Sequence, residues 1–209
     1  MLRIAVTGAV GSGKTTLVRK LSVELARRGH SVMYSCEAAL ETIKDMAGEG
    51  ESAGDFLRRV RETEDVLSFQ REALRRHIEA EAVVDSYNPE IALIDRTWYD
   101  WLYFFLRDCG KFFHSEVAVE CSRMFAEAAK SKRYDGVLFC EPVNSDGLND
   151  GRRAEKDLHD REIQRNIILG LVRLTGVPYV QLSGGVEERV KKAAEFVESL
   201  LSSRGAEIL

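Results

Sequence analysis

The most informative segment of the chain is Gly8-Ala9-Val10-Gly11-Ser12-Gly13-Lys14-Thr15. It matches the pattern G-x-x-x-x-G-K-[ST], in which successive backbone N–H groups surround a phosphate at the amino end of a helix. The apolar segment Leu2–Val6 precedes it, and a segment with leucines at positions 17, 21 and 25 follows it. This motif requires a strand before it and an amphipathic helix after it. Both flanks therefore favour a phosphate-binding loop over an incidental glycine-rich turn.

The loop and the start of the following helix are predicted to hold a nucleotide. The residues expected to contact it are Gly8, Val10, Gly11, Ser12, Gly13, Lys14, Thr15 and Thr16. Lys14 would reach the β- and γ-phosphate oxygens, and the Thr15 hydroxyl would ligate Mg²⁺. The sequence therefore predicts ATP as the phosphoryl donor and Mg²⁺ as the cofactor.

Short apolar runs alternate with longer segments of helical periodicity along the whole chain. The runs are Arg3–Thr7, Ser31–Cys36, Glu90–Asp95, Gly136–Glu141 and Pro178–Leu182. This alternation predicts an α/β fold, with a parallel sheet covered by helices on both faces. Residues 53–86 are too long for a simple crossover, so we expect one or two helices beyond the carboxyl edge of the sheet, where ligands bind. Residues 1–209 show no linker, which predicts a single domain.

Composition limits the classes of function. The formal net charge of −4 argues against a protein that mainly neutralises nucleic-acid phosphates. Met1–Val6 runs directly into the glycine loop, and no uncharged apolar stretch is long enough to span a bilayer. We therefore expect neither a signal peptide nor a membrane-spanning segment. The four cysteines lack metal-ligand spacing, so we expect reduced thiols and a cytoplasmic location.

The end of the third apolar run separates the classes of phosphate-loop protein. Asp95 is followed by Arg96, whereas AAA-type and ABC ATPases typically place a water-activating glutamate at this position. Because an arginine cannot act as a general base, a water-activating ATPase is disfavoured. The chain has no Asn-Lys-x-Asp guanine reader, which disfavours a signalling GTPase. Residues 182–185, Leu-Ser-Gly-Gly, look like the ABC signature, but they follow the aspartate-bearing run and are interpreted as a strand-to-helix turn.

With Asp95-Arg96-Thr97 closing the third run, the chain resembles the P-loop nucleoside and nucleotide kinases. This group includes the deoxynucleoside kinases, thymidylate kinase and the AAA-type ATP-binding domains related to the ribosylnicotinamide kinase module of NadR. The resemblance implies a three-layer α/β/α fold with a five-stranded parallel sheet in the order 2-3-1-4-5. It also implies that Asp95 serves the metal site or acts as the base, and that Arg96 contacts the substrate or the transferred phosphate.

Two further residues match positions that act on the acceptor in these kinases. Glu37 follows the second run, where deoxynucleoside kinases carry the acid that deprotonates the acceptor hydroxyl; the alternative is a first-turn helix residue stabilised by the helix dipole. Gln70 follows Phe69, as does the base-pairing glutamine of those enzymes; the alternative is a solvated helix residue. The chain departs from that family at Ala38-Ala39, where a bulky aromatic residue usually lies under the sugar.

Residues 142–161 are rich in glycine, aspartate and arginine and resemble the lid of these kinases. By this resemblance, Arg152 and Arg153 stabilise the charge that develops on the transferred phosphoryl group, and Arg161 contacts the substrate. Arg165 lies further along the following helix. The alternative is a solvated loop followed by a salt-bridged helix face.

These predictions combine into an ATP-dependent, Mg²⁺-requiring kinase whose acceptor is a nucleoside or a nucleoside monophosphate. The alternatives are an ATP-binding regulatory module without an acceptor, and a kinase of a non-nucleotide metabolite. The acceptor and the choice of base, Glu37 or Asp95, stay open.

Two clusters are interpreted as structural. Most aromatic residues of Trp98–Phe105 are predicted to lie in the core, with any exposed remainder a candidate homodimer contact. A solvated helix face is predicted for the arginines interleaved with glutamates, which are Arg58, Arg59, Arg61, Arg75 and Arg76.

Overall fold

The structure, a computed structural model of the chain, describes residues 1–35, 38–110, 118–119, 122–123, 126, 134–143 and 158–206. Its strands are β1 (Leu2–Gly8), β2 (Val32–Tyr34), β3 (Ile91–Asp95), β4 (Gly136–Cys140) and β5 (Tyr179–Leu182). Its helices are α1 (Lys14–Arg27), α2 (Ala38–Met46), α3 (Ala53–Arg61), α4 (Asp65–Ser86), α5 (Trp98–Cys109), α6 (Leu158–Leu174) and α7 (Val186–Ala206). Each strand lies within one of the predicted apolar runs or extends it by one residue at each end.

The five strands form one parallel sheet in the order β2-β3-β1-β4-β5, which confirms the predicted order. Strand β1 pairs with β3 from Leu2 opposite Ile91 to Val6 opposite Asp95. It pairs on its other side with β4, where Gly8 lies opposite Cys140. Because β1 and β3 are parallel neighbours, their carboxyl ends bring the glycine loop and Asp95 to the same edge of the sheet.

Helices cover both faces of the sheet, as strands buried on both sides require. On one face, Leu2, Ile4 and Val6 pack with α1 and with the apolar stripe of α7. On the other face, Ala5 and Ile94 pack with residues of α4, α5 and α6. The alternation along β1 therefore divides its side chains between two apolar layers, as the pleat of a strand dictates.

A third apolar cluster lies among helices α2 to α5 and involves no strand residue. The predicted long helical segment is two helices, α3 and α4, separated by residues 62–64. Phe56, Val60, Leu67 and Leu74 are buried on their inner face, as the periodicity predicts. This helical cluster forms the outer wall of the candidate site described below.

Two further sequence predictions can be compared with the described residues. None of their helices has both the length and the apolar character that crossing a membrane requires. Cys109 and Cys140 are buried thiols. Burial raises the pKa of the Cys140 thiol to about 12, so this side chain stays protonated and chemically inert near neutral pH.

Candidate functional site

The glycine loop between β1 and α1 has a backbone that only glycine adopts without strain at two decisive positions. Gly8 has a φ of 139°, and a Cβ atom there would lie 2.3 Å from the carbonyl oxygen of Cys140. Gly13, directly before α1, has a φ of 84° in the left-handed region. The motif glycines therefore fix the turn that carries the chain from the sheet into the helix.

Lys14 is 6% exposed and folds back over this loop. Its Nζ donates hydrogen bonds to the carbonyl oxygens of Gly8, at 2.7 Å, and Ala9, at 2.9 Å. Burial lowers the pKa of Lys14 below its usual value, and the nearby guanidinium of Arg96 lowers it further. An anionic phosphate oxygen would be a stronger partner for this ammonium than either carbonyl.

Thr15 and Asp95 form the pair of side chains best suited to a magnesium ion. The Thr15 hydroxyl donates a 2.7 Å hydrogen bond to Oδ2 of Asp95. Among the residues that the structure describes, no group of three or more His, Cys, Asp and Glu side chains could hold a metal by itself. A hydroxyl and one carboxylate beside a phosphate loop fit Mg²⁺, which is usually held by few protein oxygens together with substrate phosphates and water.

Arg96 follows β3 in a conformation that is unusual for its residue type. Its φ is 73°, in the left-handed region. Its backbone N–H donates to the carbonyl oxygen of Val6 at 3.0 Å, and its guanidinium carbon lies 5.4 Å from the ring centre of Phe104. Strained backbone of this kind persists where the surroundings hold it, and it is frequent at functional sites.

A buried carboxylate locks the start of α5 against the end of β1. Oδ2 of Asp100 accepts hydrogen bonds from the Thr97 N–H at 2.8 Å, the Thr97 hydroxyl at 2.7 Å and the Thr7 hydroxyl at 2.7 Å. Thr97 and Asp100 form a capping box at the amino end of α5. Thr-x-x-Asp before an apolar run is a helix-start pattern, so the sequence does carry a signal for this capping box.

A cavity of about 380 Å³ extends from the phosphate loop to the helical cluster. The loop side is lined by Val10, Gly11, Gly13, Lys14, Thr15 and Thr16, with Arg19 and Arg96 beside them. The helical side is lined by Ala39, Leu40, Ile43, Leu57, Arg61, Phe69, Gln70, Trp101, Phe104 and Asp108. The predicted residues Lys14, Arg96 and Gln70 thus share one cavity, although up to 82 positions separate them in the sequence.

Gln70 is 4% exposed, so the alternative of a solvated helix residue is wrong. Its amide nitrogen donates to Oδ2 of Asp108 at 3.1 Å. Asp108 also pairs with Arg107, at 2.6 Å, and with Arg61, at 3.3 Å.

The prediction of a solvated face is wrong for Arg61. The last turn of α3 directs its side chain, 21% exposed, toward Asp108 on α5. Sequence reasoning missed Asp108 and the position of Arg61 because their proximity depends on how α3 and α5 pack.

Helix α6 contacts the phosphate loop at Val10 through two hydrogen bonds. Nε of Arg161 donates to the Val10 carbonyl oxygen at 3.1 Å, and Oε1 of Gln164 accepts the Val10 N–H at 2.9 Å. Arg165 forms a two-pronged ion pair with Glu141, at 2.6 and 2.8 Å. The hydrogen bond with Glu141 raises the pKa of Arg165. Arg161 therefore contacts the loop, and its predicted role toward the acceptor stays a prediction.

The described geometry combines a phosphate loop, a hydroxyl–carboxylate pair and an adjoining cavity. The model of the AAA domain family matches residues 3–189. The chain belongs to the AAA domain family. No match was found among curated protein sequences.

A solved structure shows how this AAA domain compares with a characterised fold. The domain is similar to the chain described as "Crystal structure of NadR protein in complex with NR", with a TM-score of 0.65 and 18% sequence identity. The match covers 95% of this chain and 51% of that chain, so this chain spans about half the length of the NadR protein. The likeness confirms the predicted three-layer α/β/α P-loop fold.

Three predicted catalytic residues of the AAA domain fall outside the described residues. Glu37, Arg152 and Arg153 belong to this group, and most of the predicted lid, residues 142–161, does too. Their roles stay predictions. The described residues that sequence reasoning missed are Thr7, Asp100, Asp108 and Gln164.

Proposed function

We propose that the protein is an ATP-dependent, Mg²⁺-requiring kinase that transfers the γ-phosphoryl group to a nucleoside or a nucleoside monophosphate. The observation that carries this proposal is the cavity of about 380 Å³ that joins the phosphate loop to the helical side. This volume falls in the range of small-molecule sites, and polar groups lie among apolar walls, as such sites require. A nucleotide-hydrolysing module has no need of a second binding region beside the phosphates.

The loop side would bind the donor. The backbone of residues 8–15 and the amino end of α1 favour anionic phosphates, and Lys14 would exchange its two carbonyl partners for phosphate oxygens. Thr15 and Asp95 would hold Mg²⁺, which supplies neutralisation of phosphate charge when bound. The motif and the family support ATP as the donor.

Arg96 lies where it can serve both substrates. It lines the cavity together with Lys14 on the loop side and Phe104 on the helical side. Phosphoryl transfer spreads negative charge over the equatorial oxygens, and a fixed guanidinium stabilises this charge without reorganisation. The strained backbone of Arg96 supports the idea that its side chain is held for this purpose.

The helical side would orient the acceptor and exclude water. Ile43, Phe69 and Trp101 supply apolar surface, while Gln70 and Asp108 supply polar groups. Proximity and orientation contribute a large share of rate enhancement in such reactions. A nucleoside acceptor also needs a base for its hydroxyl, for which Glu37 and Asp95 remain the candidates. The NadR protein was crystallised with NR, which adds pyridine nucleosides to the acceptors worth testing.

The test is a screen with ATP labelled at the γ-phosphate against nucleosides, pyridine nucleosides and nucleoside monophosphates. We expect labelled product with the native chain and none with Lys14→Ala. Lys20→Ala is the matched control, because Lys20 lies on the same helix and is exposed. Slow ATP hydrolysis that no member of the panel accelerates would instead favour a regulatory module and overturn the proposal.

A second variant tests the choice of base. If Glu37 deprotonates the acceptor, Glu37→Gln should abolish transfer to a nucleoside while leaving the affinity for ATP unchanged. Near-normal transfer by this variant would remove Glu37 as the base and leave Asp95.

A further inference from the structure

Asp108 is the centre of a buried polar cluster at the helical side of the cavity. Its side chain is 4% exposed. Arg107 donates to both carboxylate oxygens, at 2.6 and 3.0 Å, and Arg61 approaches at 3.3 Å. The Arg107 guanidinium is itself placed over the rings of Tyr103 and Phe104, at 5.5 and 5.0 Å. The carboxylate is therefore held in position from two sides.

The hydrogen bond between Asp108 and Gln70 determines which polar atom of the Gln70 amide stays without a partner. An ionised carboxylate can only accept hydrogen bonds, so Gln70 must turn its NH₂ group toward Asp108. The observed 3.1 Å contact from Nε2 of Gln70 has this polarity. The carbonyl oxygen Oε1 is then buried and has no hydrogen-bond partner among the described residues. A buried acceptor without a partner is costly, and Gln70 lines the cavity.

A second buried group of opposite polarity lines the same cavity. Trp101 is 2% exposed, and its indole N–H, which can only donate, has no hydrogen-bond partner in the described part of the chain. Both residues line the cavity, so its buried groups without a hydrogen-bond partner include an acceptor, on Gln70, and a donor, on Trp101. A ligand that pairs with both groups carries an N–H group and a lone pair. A carboxamide and an aminated heterocycle with a neighbouring ring nitrogen both carry this pair of groups.

We propose that Asp108 is a specificity-determining residue that fixes the hydrogen-bonding polarity of the cavity, so that the preferred acceptor donates an N–H to Gln70 Oε1. The inference rests on the proposed function, since it takes the cavity to be the acceptor site. Asp108 acts through Gln70 and is a positioning residue.

The test uses three ligand pairs in which one member carries an amino group that the other member replaces with hydrogen or a methyl group. They are adenosine with purine riboside, cytidine with pyrimidin-2-one riboside, and nicotinamide riboside with its methyl ketone analogue, 3-acetylpyridine riboside. Calorimetry with the full chain and no ATP measures the dissociation constant of each ligand. For the pair that binds, we expect the member with the amino group to bind at least about tenfold more tightly, because a site built for a hydrogen bond rejects the analogue that lacks it.

Two variants then test which side chains cause the difference in affinity between the members of a pair. In Asp108→Asn the side chain can donate as well as accept, so Gln70 can reverse its amide and the ratio should fall to about threefold or less. Gln70→Met removes the carbonyl and should also bring the ratio close to one. Asp45→Asn is the matched control, because Asp45 is 61% exposed and pairs with Arg76 outside the cavity lining. It should keep the native ratio.

The outcomes separate this inference from the proposed function. Equal binding of both members by the native chain, tighter binding of the member without the amino group, or no binding of any pair would overturn the inference. The inference would also be overturned if Asp108→Asn and Gln70→Met both kept the native ratio of dissociation constants. Binding requires no phosphoryl transfer, so discrimination that disappears in the variants supports the inference even if the labelled-ATP screen yields no product. That combination would overturn the proposed function alone.

Discussion

The buried ammonium group of Lys14 makes the phosphate loop ready to bind an anion. Burial lowers the pKa of Lys14 below its usual 10.5, and the guanidinium of Arg96 lowers it further, while the carboxylates of Asp100 and Asp95 oppose the shift. The native protein therefore releases this proton at a lower pH than the unfolded chain does. Between the lowered native pKa and 10.5 the unfolded chain binds more protons, so the free energy of unfolding should rise with pH across this window.

The measurement is denaturant unfolding from pH 8 to 10.5 for the native chain and for Lys14→Met. The rise contributed by Lys14 can reach at most about 1.4 kcal/mol per pH unit, and it should be missing from the variant. Lys20→Met, at an exposed position on the same helix, should keep the native slope. If the free energy of unfolding changed with pH in the same way for the native chain and Lys14→Met, the pKa of Lys14 would be the same in the folded and unfolded states.

The sequence identified the side chains whose spacing belongs to a local motif and missed those that only packing brings together. Lys14 and Thr15 follow from the loop pattern itself. Asp95 and Arg96 follow from their place at the end of an apolar run and from the family resemblance. The pairing of Gln70 with Asp108, 38 positions later, depends on the contact between α4 and α5. No periodicity in either helix encodes it.

The position of helix α6 is coupled to the position of the phosphate loop. Two of its residues, Arg161 and Gln164, lie one turn apart and bind the carbonyl oxygen and the N–H of the same loop residue, Val10. The pair lies at i and i+3, which places both side chains on one face of the helix. The position of α6 therefore determines the position of the loop apex, and the segment leading into α6 is the predicted lid.

Replacing Gln164 by Leu should weaken this coupling. The Val10 N–H would lose its acceptor at a partly buried position, which costs about 1 kcal/mol of stability. Hydrogen exchange of the Val10 amide should accelerate accordingly, and the affinity for ATP should fall about tenfold. Gln164→Glu keeps an acceptor oxygen and should retain most of the protection.

Asn166→Leu is the matched control on α6, because Asn166 is exposed and contacts the side chain of Arg165. It should leave the exchange rate at Val10 unchanged. Native-like protection of Val10 in Gln164→Leu would show that the loop holds its shape without α6.

The strands and helices were predictable because their signals are local, but their assembly was less so. Apolar runs gave all five strands to within two residues at both ends, and periodicity indicated helices between them. The sheet order came from the family resemblance, since periodicity does not distinguish one order of parallel strands from another. The approach of α6 to the loop had no signal in the spacing of Arg161 and Gln164, because its partner is a backbone group 151 to 154 positions away.

Arg189 connects the phosphate loop near the start of the chain with the turn before α7 near its end. It is 5% exposed, and its guanidinium donates to the carbonyl oxygen of Ser12 at 2.8 Å and to that of Gly184 at 2.9 Å. Ser12 belongs to the phosphate loop, and Gly184 belongs to the turn that leads from β5 into α7. Residues 182–185, which look like an ABC signature, therefore form the end of β5 and the turn into α7. Arg189, in the first turns of α7, supports the phosphate loop through the Ser12 carbonyl oxygen.

Removing this guanidinium should therefore affect stability and ligand binding together. Arg189→Met keeps most of the side-chain volume and leaves two carbonyl oxygens without their charged donor. Because hydrogen bonds to charged groups contribute about 1.5 to 3 kcal/mol each and Arg189 makes two, we expect the free energy of unfolding to fall by about 3 to 6 kcal/mol. The affinity for ATP should fall about tenfold, since Ser12 would lose its support.

Lys192→Met provides the matched comparison on the same helix. Lys192 also donates to a backbone carbonyl, that of Gln181 at 3.0 Å, but its bond is exposed to solvent. Its loss should change the free energy of unfolding by less than about 0.5 kcal/mol and leave ATP affinity intact. If Arg189→Met lost stability yet bound ATP normally, Arg189 would stabilise the packing of α7 without shaping the loop. If neither quantity changed, the loop would hold its shape through β1 and α1 alone.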